Sequence, residues 1–318
     1  MTEGSSPLNT DGAAGAQLAN VEQEPGARKP DPLLKVDSIS KSFGGLKAVD
    51  VEHLEVQRGV ITALIGPNGA GKTTFFNLIS GFDAPDTGKW SFNDESLSGV
   101  RAHAIARRGM VRTFQLTKAL ARLTCMENMK LGATGQRGES ILRALVPPIW
   151  RSQEREIEER ADQLLERFNM AHMRDEFAGE LSGGQRKLLE MARALMSEPE
   201  MVLLDEPTAG VNPALKQSLL GHVREVLSEG TTVMFVEHDM DMVRDISDWV
   251  VVMGGGSVIA EGTHESIGRN QTVIDAYLGA HHDQPLSFEE EQAQLEEADH
   301  ALDEESTVVD GGGRARNE

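Results

Sequence analysis

The stretch Gly66-Pro67-Asn68-Gly69-Ala70-Gly71-Lys72-Thr73-Thr74 limits what this chain can fold into more than any other. It has the form G-x-x-x-x-G-K-[ST], with Gly66, Gly71, Lys72 and Thr73 at the fixed positions. The run Val60-Ile61-Thr62-Ala63-Leu64-Ile65 before it predicts a buried parallel strand, and residues 73–80 after it predict a helix. Between a strand and a helix, glycines let backbone N–H groups turn inward around an anion. The helix N-terminus adds partial positive charge. In that setting Lys72 is placed for the β- and γ-phosphates of a nucleotide and Thr73 for Mg²⁺.

The chain has 318 residues, enough for one large domain or two modest ones, and 39% of them are hydrophobic. Its apolar stretches fall well short of 18 residues, so no membrane span is expected. The N-terminus lacks the basic-then-apolar order of a secretory signal. A single cysteine, Cys125, excludes an intrachain disulfide and suits a reducing compartment; it is expected to be inert. The net charge of −20 argues against nucleic acid or an anionic lipid surface as a direct partner. Residues 281–318 carry twelve acidic and two basic residues, and residues 1–32 carry five and two, which leaves −7 for residues 33–280. Of the 31 basic residues, 10 are Lys and 21 Arg. Two readings stand: an acid-rich protein of a salt-loaded cytoplasm, or an ordinary domain with two acidic tails. The first predicts a higher melting temperature in molar than in dilute potassium chloride, because salt screens self-repulsion. Equal melting temperatures retire it.

Residues 1–32, rich in Gly, Ala, Pro and polar side chains, read as a disordered arm, and residues 281–318 as an acidic disordered tail. Residues 1–30 and 285–318 are therefore expected to be dispensable for nucleotide binding. Strands are expected over 33–39, 46–56, 60–65, 90–92, 110–114, 201–204, 232–236, 249–253 and 257–260. Helices are expected over 101–108, 152–170, 213–228 and 272–278, and from Ser182 through Met196. Thr124-x-x-Glu127 forms a capping box, and Pro147-Pro148 is expected to break the chain. The alternation gives an α/β fold with a mainly parallel sheet. Residues 116–180, nearly free of strand signals, read as an inserted helical subdomain.

Asp205-Glu206 closes the apolar strand Met201-Val202-Leu203-Leu204, at the strand end where parallel sheets bind ligands. Asp205 can hold Mg²⁺ opposite Thr73, and Glu206 can polarise an attacking water. Leu181-Ser182-Gly183-Gly184-Gln185 opens another helix and offers a second set of N–H groups for an anion. Two such sites in one chain make sense if the second closes over a nucleotide held by another subunit.

With these motifs in order, residues 33–280 resemble the ATP-binding subunit of ATP-binding-cassette transporters. The resemblance implies a P-loop core with a mainly parallel sheet, an antiparallel β subdomain and the inserted helical subdomain. It implies ATP and Mg²⁺ as cofactors. ATP would lie on residues 66–74, with Phe43 stacked on adenine unless that ring simply packs in the core. Ser182, Gly183, Gly184 and Gln185 would meet the nucleotide of an opposing cassette. Gln115, at the end of the strand through Thr113-Phe114, would touch Mg²⁺ or the water. Asp205 would hold the metal with Thr73, Glu206 would act as base, and His238 would contact the γ-phosphate or the water. The loop Ala209-Gly210-Val211-Asn212-Pro213 departs from the family habit, with Asn212 where an acid is common; Asn212 can still cap the next helix.

Phe43-Gly44-Gly45, Val111-Arg112-Thr113-Phe114-Gln115, Glu237-His238-Asp239-Met240 and Ala276-Tyr277-Leu278-Gly279 further resemble LivG-type ATPases of branched-chain amino acid importers. Those imply integral-membrane permease subunits, a second and different cassette, and indirectly an extracytoplasmic solute-binding protein. The place would be the cytoplasmic face of the membrane, with no nucleic acid bound. Importers of urea or short amides, exporters sharing some of these runs, and soluble non-transport cassette ATPases remain as alternatives. Leu116, Leu120, Leu123 and Met126 either line a groove for a permease helix or lie in the core.

Overall fold

In the computed structural model, which describes residues 17–113, 121–134 and 147–282, the fully apolar runs become the interior of a six-stranded sheet. The chain opens with strands β1 (Pro32–Phe43), β2 (Leu46–Gln57) and β3 (Ile61–Ile65), followed by helix α1 (Lys72–Ile79). Strands β4 (Thr87–Phe92) and β5 (Glu95–Ser96), helix α2 (Ala102–Arg107) and strand β6 (Met110–Arg112) come next. Helices α3 (Cys125–Gly132), α4 (Pro147–Arg167) and α5 (Gly183–Leu195) lead to β7 (Met201–Asp205) and α6 (Pro213–Ser228). Strand β8 (Thr232–Val236), helix α7 (Met240–Ile246), strands β9 (Trp249–Gly254) and β10 (Ser257–Gly262), and helices α8 (His264–Ile267) and α9 (Gln271–His282) complete it. The described residues up to Ala276 form one unit. Tyr277–Glu318 form another, whose described part is the end of α9.

The large sheet has the order β10-β9-β3-β8-β7-β6 and is parallel except for β10. Central β3 is buried at every residue, as are β8 and the first four residues of β7, because both faces are covered. A second, antiparallel sheet runs β2-β1-β4-β5. The apolar core joins the two: Leu34, Val36 and Val51 of the small sheet share a cluster with Leu64, Phe75, Phe76 and Met234. Between β6 and β7 the described residues hold only helices, a 3₁₀ turn at Ala171–Met173 and one isolated bridge, Thr124 to Phe177. The expected capping box is present: Glu127 N–H donates to Thr124 Oγ1 at 3.1 Å and Thr124 N–H to Glu127 Oε2 at 2.8 Å. Cys125 is fully buried and burial pushes its thiol up to about 11, so it stays an inert thiol.

Three expectations need correction. The first strand was expected to end at Ile39 but runs to Phe43, its pairing with β2 maintained through a register shift at Lys41/Ser42. Pro147 and Pro148 open α4 instead of breaking the chain, since a proline in the first turn gives up an N–H that has no helical acceptor. Most consequentially, the arm does not extend to residue 32. Residues 17–31 pack onto the domain, with Leu18, Ala27 and Lys29 buried. Lys29 Nζ donates to Glu261 Oε2 at 2.8 Å, Ala27 N–H to Glu261 Oε1 at 2.8 Å and Lys29 N–H to Glu55 Oε2 at 2.6 Å. Leu18 joins the main apolar core with Val21 packed against it, and the buried polar pairs hold the rest of a segment whose sparse apolar content reads as disordered. Among the described residues, no helix is long and apolar enough to cross a membrane.

Candidate functional site

The glycine-rich loop sits at the C-terminal end of β3, wedged between the start of β2 and the β9–β10 turn. Gly66 has φ 147°, and a Cβ there would come 2.1 Å from Met253 O; Gly71 has φ 96°, and its Cβ would come 2.3 Å from Ala48 O. Each position thus excludes a side chain by space, and at both the left-handed φ excludes one again. Ala70 is buried while Asn68 and Gly69 are exposed, and Gly256 N–H donates to Ala70 O at 3.1 Å. Pro67 lies half-buried between them. Lys72 opens α1 with its Nζ folded back on the loop, donating to Gly66 O at 2.7 Å and Pro67 O at 2.9 Å. Burial pulls its pKa below the ordinary value, and the Glu206 carboxylate opposes that shift. Thr73 is exposed and Thr74 half-buried in the same turn.

Two strands away, β7 delivers Asp205 and Glu206. Glu206 has φ 47°, a left-handed value rare outside glycine, and its N–H donates to Val236 O at 3.0 Å. That turn aims the carboxylate at the end of β8, where Glu206 Oε1 and His238 Nε2 stand 2.9 Å apart. Buried Glu237 fixes the partner strand by accepting from Thr208 N–H at 2.8 Å, Thr208 Oγ1 at 2.6 Å and His238 N–H at 3.1 Å. Lys187 of α5 donates to the Glu206 carbonyl. Asp205 Oδ2 accepts from Arg112 Nη2 at 2.6 Å. Arg112, Glu237, Thr208 and Lys187 were not singled out as site residues from sequence. The first two lie inside runs noted only for their resemblance, and no local pattern marks the other two.

Phe43 ends β1 and is 51% exposed, which overturns core packing, and the Lys41 ammonium sits 5.4 Å from the ring centroid. Ser182 caps α5: Gln185 N–H donates to Ser182 Oγ at 3.3 Å and Ser182 N–H to Gln185 Oε1 at 2.8 Å. Gly183 faces open space, whereas a Cβ on Gly184 would meet Leu215 Cδ2 of α6 at 2.1 Å. The N–H groups of these two glycines lie in the first turn, where a helix supplies no acceptor of its own. Asn212 caps α6, accepting from Leu215 N–H at 3.0 Å. Gln115 lies outside the described residues, as do Leu116 and Leu120; Met126 is buried and Leu123 half-buried.

A cavity of about 280 Å³ between α5 and the end of β7 is lined by Thr113, Gly183, Lys187, Glu190, Asp205 and Pro207, among others. Burial pushes the Glu190 carboxyl up to about 7, and its Oε1 meets no hydrogen-bond partner among the described residues. For a metal, Thr73 and Asp205 offer a hydroxyl and a carboxylate, the hard oxygen donors Mg²⁺ takes when phosphate oxygens and water complete its shell. Among the described residues, no group of three or more His, Cys, Asp or Glu forms a metal cage. The donor set therefore fits a metal that arrives with a nucleotide.

Comparison with known proteins identifies the family. The family model described as "ABC transporter" matches residues 49–209, and one described as "Branched-chain amino acid ATP-binding cassette transporter" matches residues 257–283. The chain is 44% identical over 248 residues to a probable branched-chain amino acid transport ATP-binding protein of Archaeoglobus fulgidus, covering 78% of this chain and 96% of that one. It is 39% identical over 250 residues to the high-affinity branched-chain amino acid transport ATP-binding protein of Escherichia coli (strain K12), covering 78% and 98%. A nucleotide-free ATP-binding cassette from an ABC transporter superimposes with TM-score 0.68 at 37% identity, over 77% of this chain and 98% of that structure. An ADP-bound conformation of such a cassette gives TM-score 0.67 at 37% identity, over 78% and 99%.

Proposed function

Because the chain belongs to the ABC transporter family of ATP-binding subunits, we propose that it hydrolyses ATP to energise a membrane importer of branched-chain amino acids. The observation that carries the hydrolytic reading is the Glu206–His238 pair, held 2.9 Å apart at the ends of adjacent strands. The next strand along, β3, leads into the loop that folds Lys72 back on itself. On this reading backbone N–H groups of residues 66–74 and the Lys72 ammonium bind the phosphates. Phe43, exposed beside Lys41, offers its face to the adenine. Glu206 takes the proton of the attacking water, and His238 orients that carboxylate and contacts the γ-phosphate or the water. Thr73 and Asp205 would hold Mg²⁺, with Gln115 joining them; when bound, the ion neutralises charge developing on the phosphate oxygens. Ser182, Gly183, Gly184 and Gln185 serve the nucleotide of a second cassette packed head to tail, which in such importers is a different chain.

The importer reading draws on the 257–283 match and on the names of the relatives. It places the chain at the cytoplasmic face, held there by permease subunits, with a solute-binding protein acting from the other side. Residues 33–280 would be the cassette, 116–180 its helical subdomain and 281–318 an acidic tail. The test is leucine uptake into proteoliposomes containing this chain, its partner cassette and their permeases. Uptake should require ATP and fail with Lys72→Ala. That change removes charge-assisted hydrogen bonds worth about 1.5–3 kcal/mol each and should weaken nucleotide binding roughly 10–100-fold. Uptake of urea in place of leucine would redirect the substrate reading. ATP hydrolysis uncoupled from any uptake would overturn the importer reading.

A further inference from the structure

We infer that Arg112 is a positioning residue: a strut that sets the Asp205 carboxylate relative to the helix carrying Thr73. The inference rests on the reading above, in which these two residues hold the metal that accompanies ATP.

Arg112 is the last residue of β6, beside Leu203 of β7 in a parallel ladder, so its side chain leaves the sheet at the level of the β7 end. Three hydrogen bonds fix the guanidinium. Nη2 donates to Asp205 Oδ2 at 2.6 Å, and Nη1 donates to Asn77 Oδ1 at 2.7 Å and to Ser80 Oγ at 3.3 Å. The charged carbon lies 5.6 Å from the centroid of Phe76 and 5.9 Å from that of Phe82. The Arg112 and Asp205 side chains are 8% and 10% exposed. Asn77 belongs to α1 and Ser80 caps its C-terminus, and α1 carries Lys72 and Thr73 in its first turn. One planar group therefore bridges the carboxylate on β7 to the helix that bears the hydroxyl. It engages one carboxylate oxygen and leaves the second for the ion. A lysine cannot do this, because an ammonium is a point charge without the guanidinium's flat fork.

Groups that hold a metal-binding carboxylate in place typically govern metal affinity by about 10–100-fold. Nucleotide binding without metal depends on the loop 66–74 and Lys72, which Arg112 does not touch. The two effects should separate. The experiment is binding of a fluorescent ATP analogue to the purified full chain, in EDTA and across a Mg²⁺ titration, with thermal melts of each variant. Arg112→Met should bind the analogue in EDTA within about twofold of wild type and need about 10–100-fold more Mg²⁺ for the half-maximal metal effect. Arg112→Lys should shift the midpoint in the same direction. A folded Arg112→Met with an unchanged Mg²⁺ midpoint overturns the inference, and so does an equal loss of binding with and without metal, the result expected of a merely structural ion pair. If Arg112→Met does not fold, Asn77→Ala keeps the ion pair while removing the shorter of the two hydrogen bonds at the helix end of the strut. It should raise the midpoint by a smaller factor, and an unchanged midpoint there overturns the inference as well. Asp205→Asn separates the two levels. If it leaves the Mg²⁺ dependence unmoved, the metal reading of Asp205 fails. If it moves the midpoint and Arg112→Met does not, only the strut fails.

Discussion

Glu206→Gln should bind ATP as the wild type does and hydrolyse it about 10²–10⁴-fold more slowly, the range for losing a general base. Glutamine keeps the length of the side chain and can still hydrogen-bond His238 across the 2.9 Å gap. It cannot accept a proton from water. The backbone that aims the group should survive the change, because its anchors are main-chain atoms: Glu206 N–H on Val236 O, and the Glu206 carbonyl on Lys187. The left-handed φ of 47° costs stability in either variant alike, so it does not bias the comparison. On the proposed reading phosphate binding is lodged elsewhere, on the loop at the end of β3 and on Lys72. Rate and affinity should therefore part company in this mutant and fall together in Lys72→Ala. On the proposed two-cassette reading, in which hydrolysis reopens the closed pair, the glutamine variant should accumulate with its partner as an ATP-filled dimer. The measurement is ATPase rate beside nucleotide binding and dimer formation. A wild-type rate in Glu206→Gln would remove Glu206 from the role of base.

What the sequence made legible is what local pattern encodes. The phosphate loop announces itself through glycines whose necessity the structure locates in specific atoms, Met253 O and Ala48 O. The central strands read correctly because burial on both faces turns them into unbroken apolar runs. The caps at Thr124, Ser182 and Asn212 follow from residue type and a spacing of three. The illegible parts are pairings between residues far apart in the chain. Arg112 and Asp205 are separated by 93 positions, and Lys29 and Glu261 by 232. Neither partner has a neighbour in sequence that hints at the other. An arginine before the segment holding Gln115 and a lysine in a Gly/Pro-rich arm look equally solvated until the fold brings their carboxylates to them. Asp205 and Glu206 show the boundary within one dipeptide: the motif flags both, and only the topology shows which basic group each of them meets.

The pairing with Glu261 carries the other large expected effect. Glu261→Ala should lower the melting temperature by about 6–20 °C. Lys29 and Glu261 have side chains 1% and 0% exposed, so the mutation leaves a buried ammonium without its ion-pair partner, and the Glu55 carboxylate, which accepts from Lys29 N–H, offsets only part of the loss. Breaking a buried pair from one side costs about 3–5 kcal/mol, and each kcal/mol moves the midpoint of a domain this size by about 2–4 °C. Burial already pulls the Lys29 pKa below its ordinary value, with Glu261 the main opposing influence, so removing Glu261 takes away what keeps the charge tolerable. The Trp249 ring, 4.4 Å below the ammonium, offsets part of the loss. Lys29→Met should cost less, because Glu261 retains Trp249 Nε1–H and Ala27 N–H as donors, each at 2.8 Å. Lys29→Met combined with Glu261→Gln should be more stable than Glu261→Ala alone, since no charge is then left unpaired. The damage should stay away from nucleotide binding. Glu261 pairs with Val251 toward the open end of the β9–β10 hairpin, whereas the phosphate loop touches Met253 and Gly256 at its turn. A chain beginning at residue 31 should thus bind ATP normally well below its melting point and melt earlier than one beginning at residue 17. Thermal melts of these variants decide the matter: a Glu261→Ala midpoint within about 2 °C of wild type would mean the buried pair contributes little to holding the N-terminal segment in place.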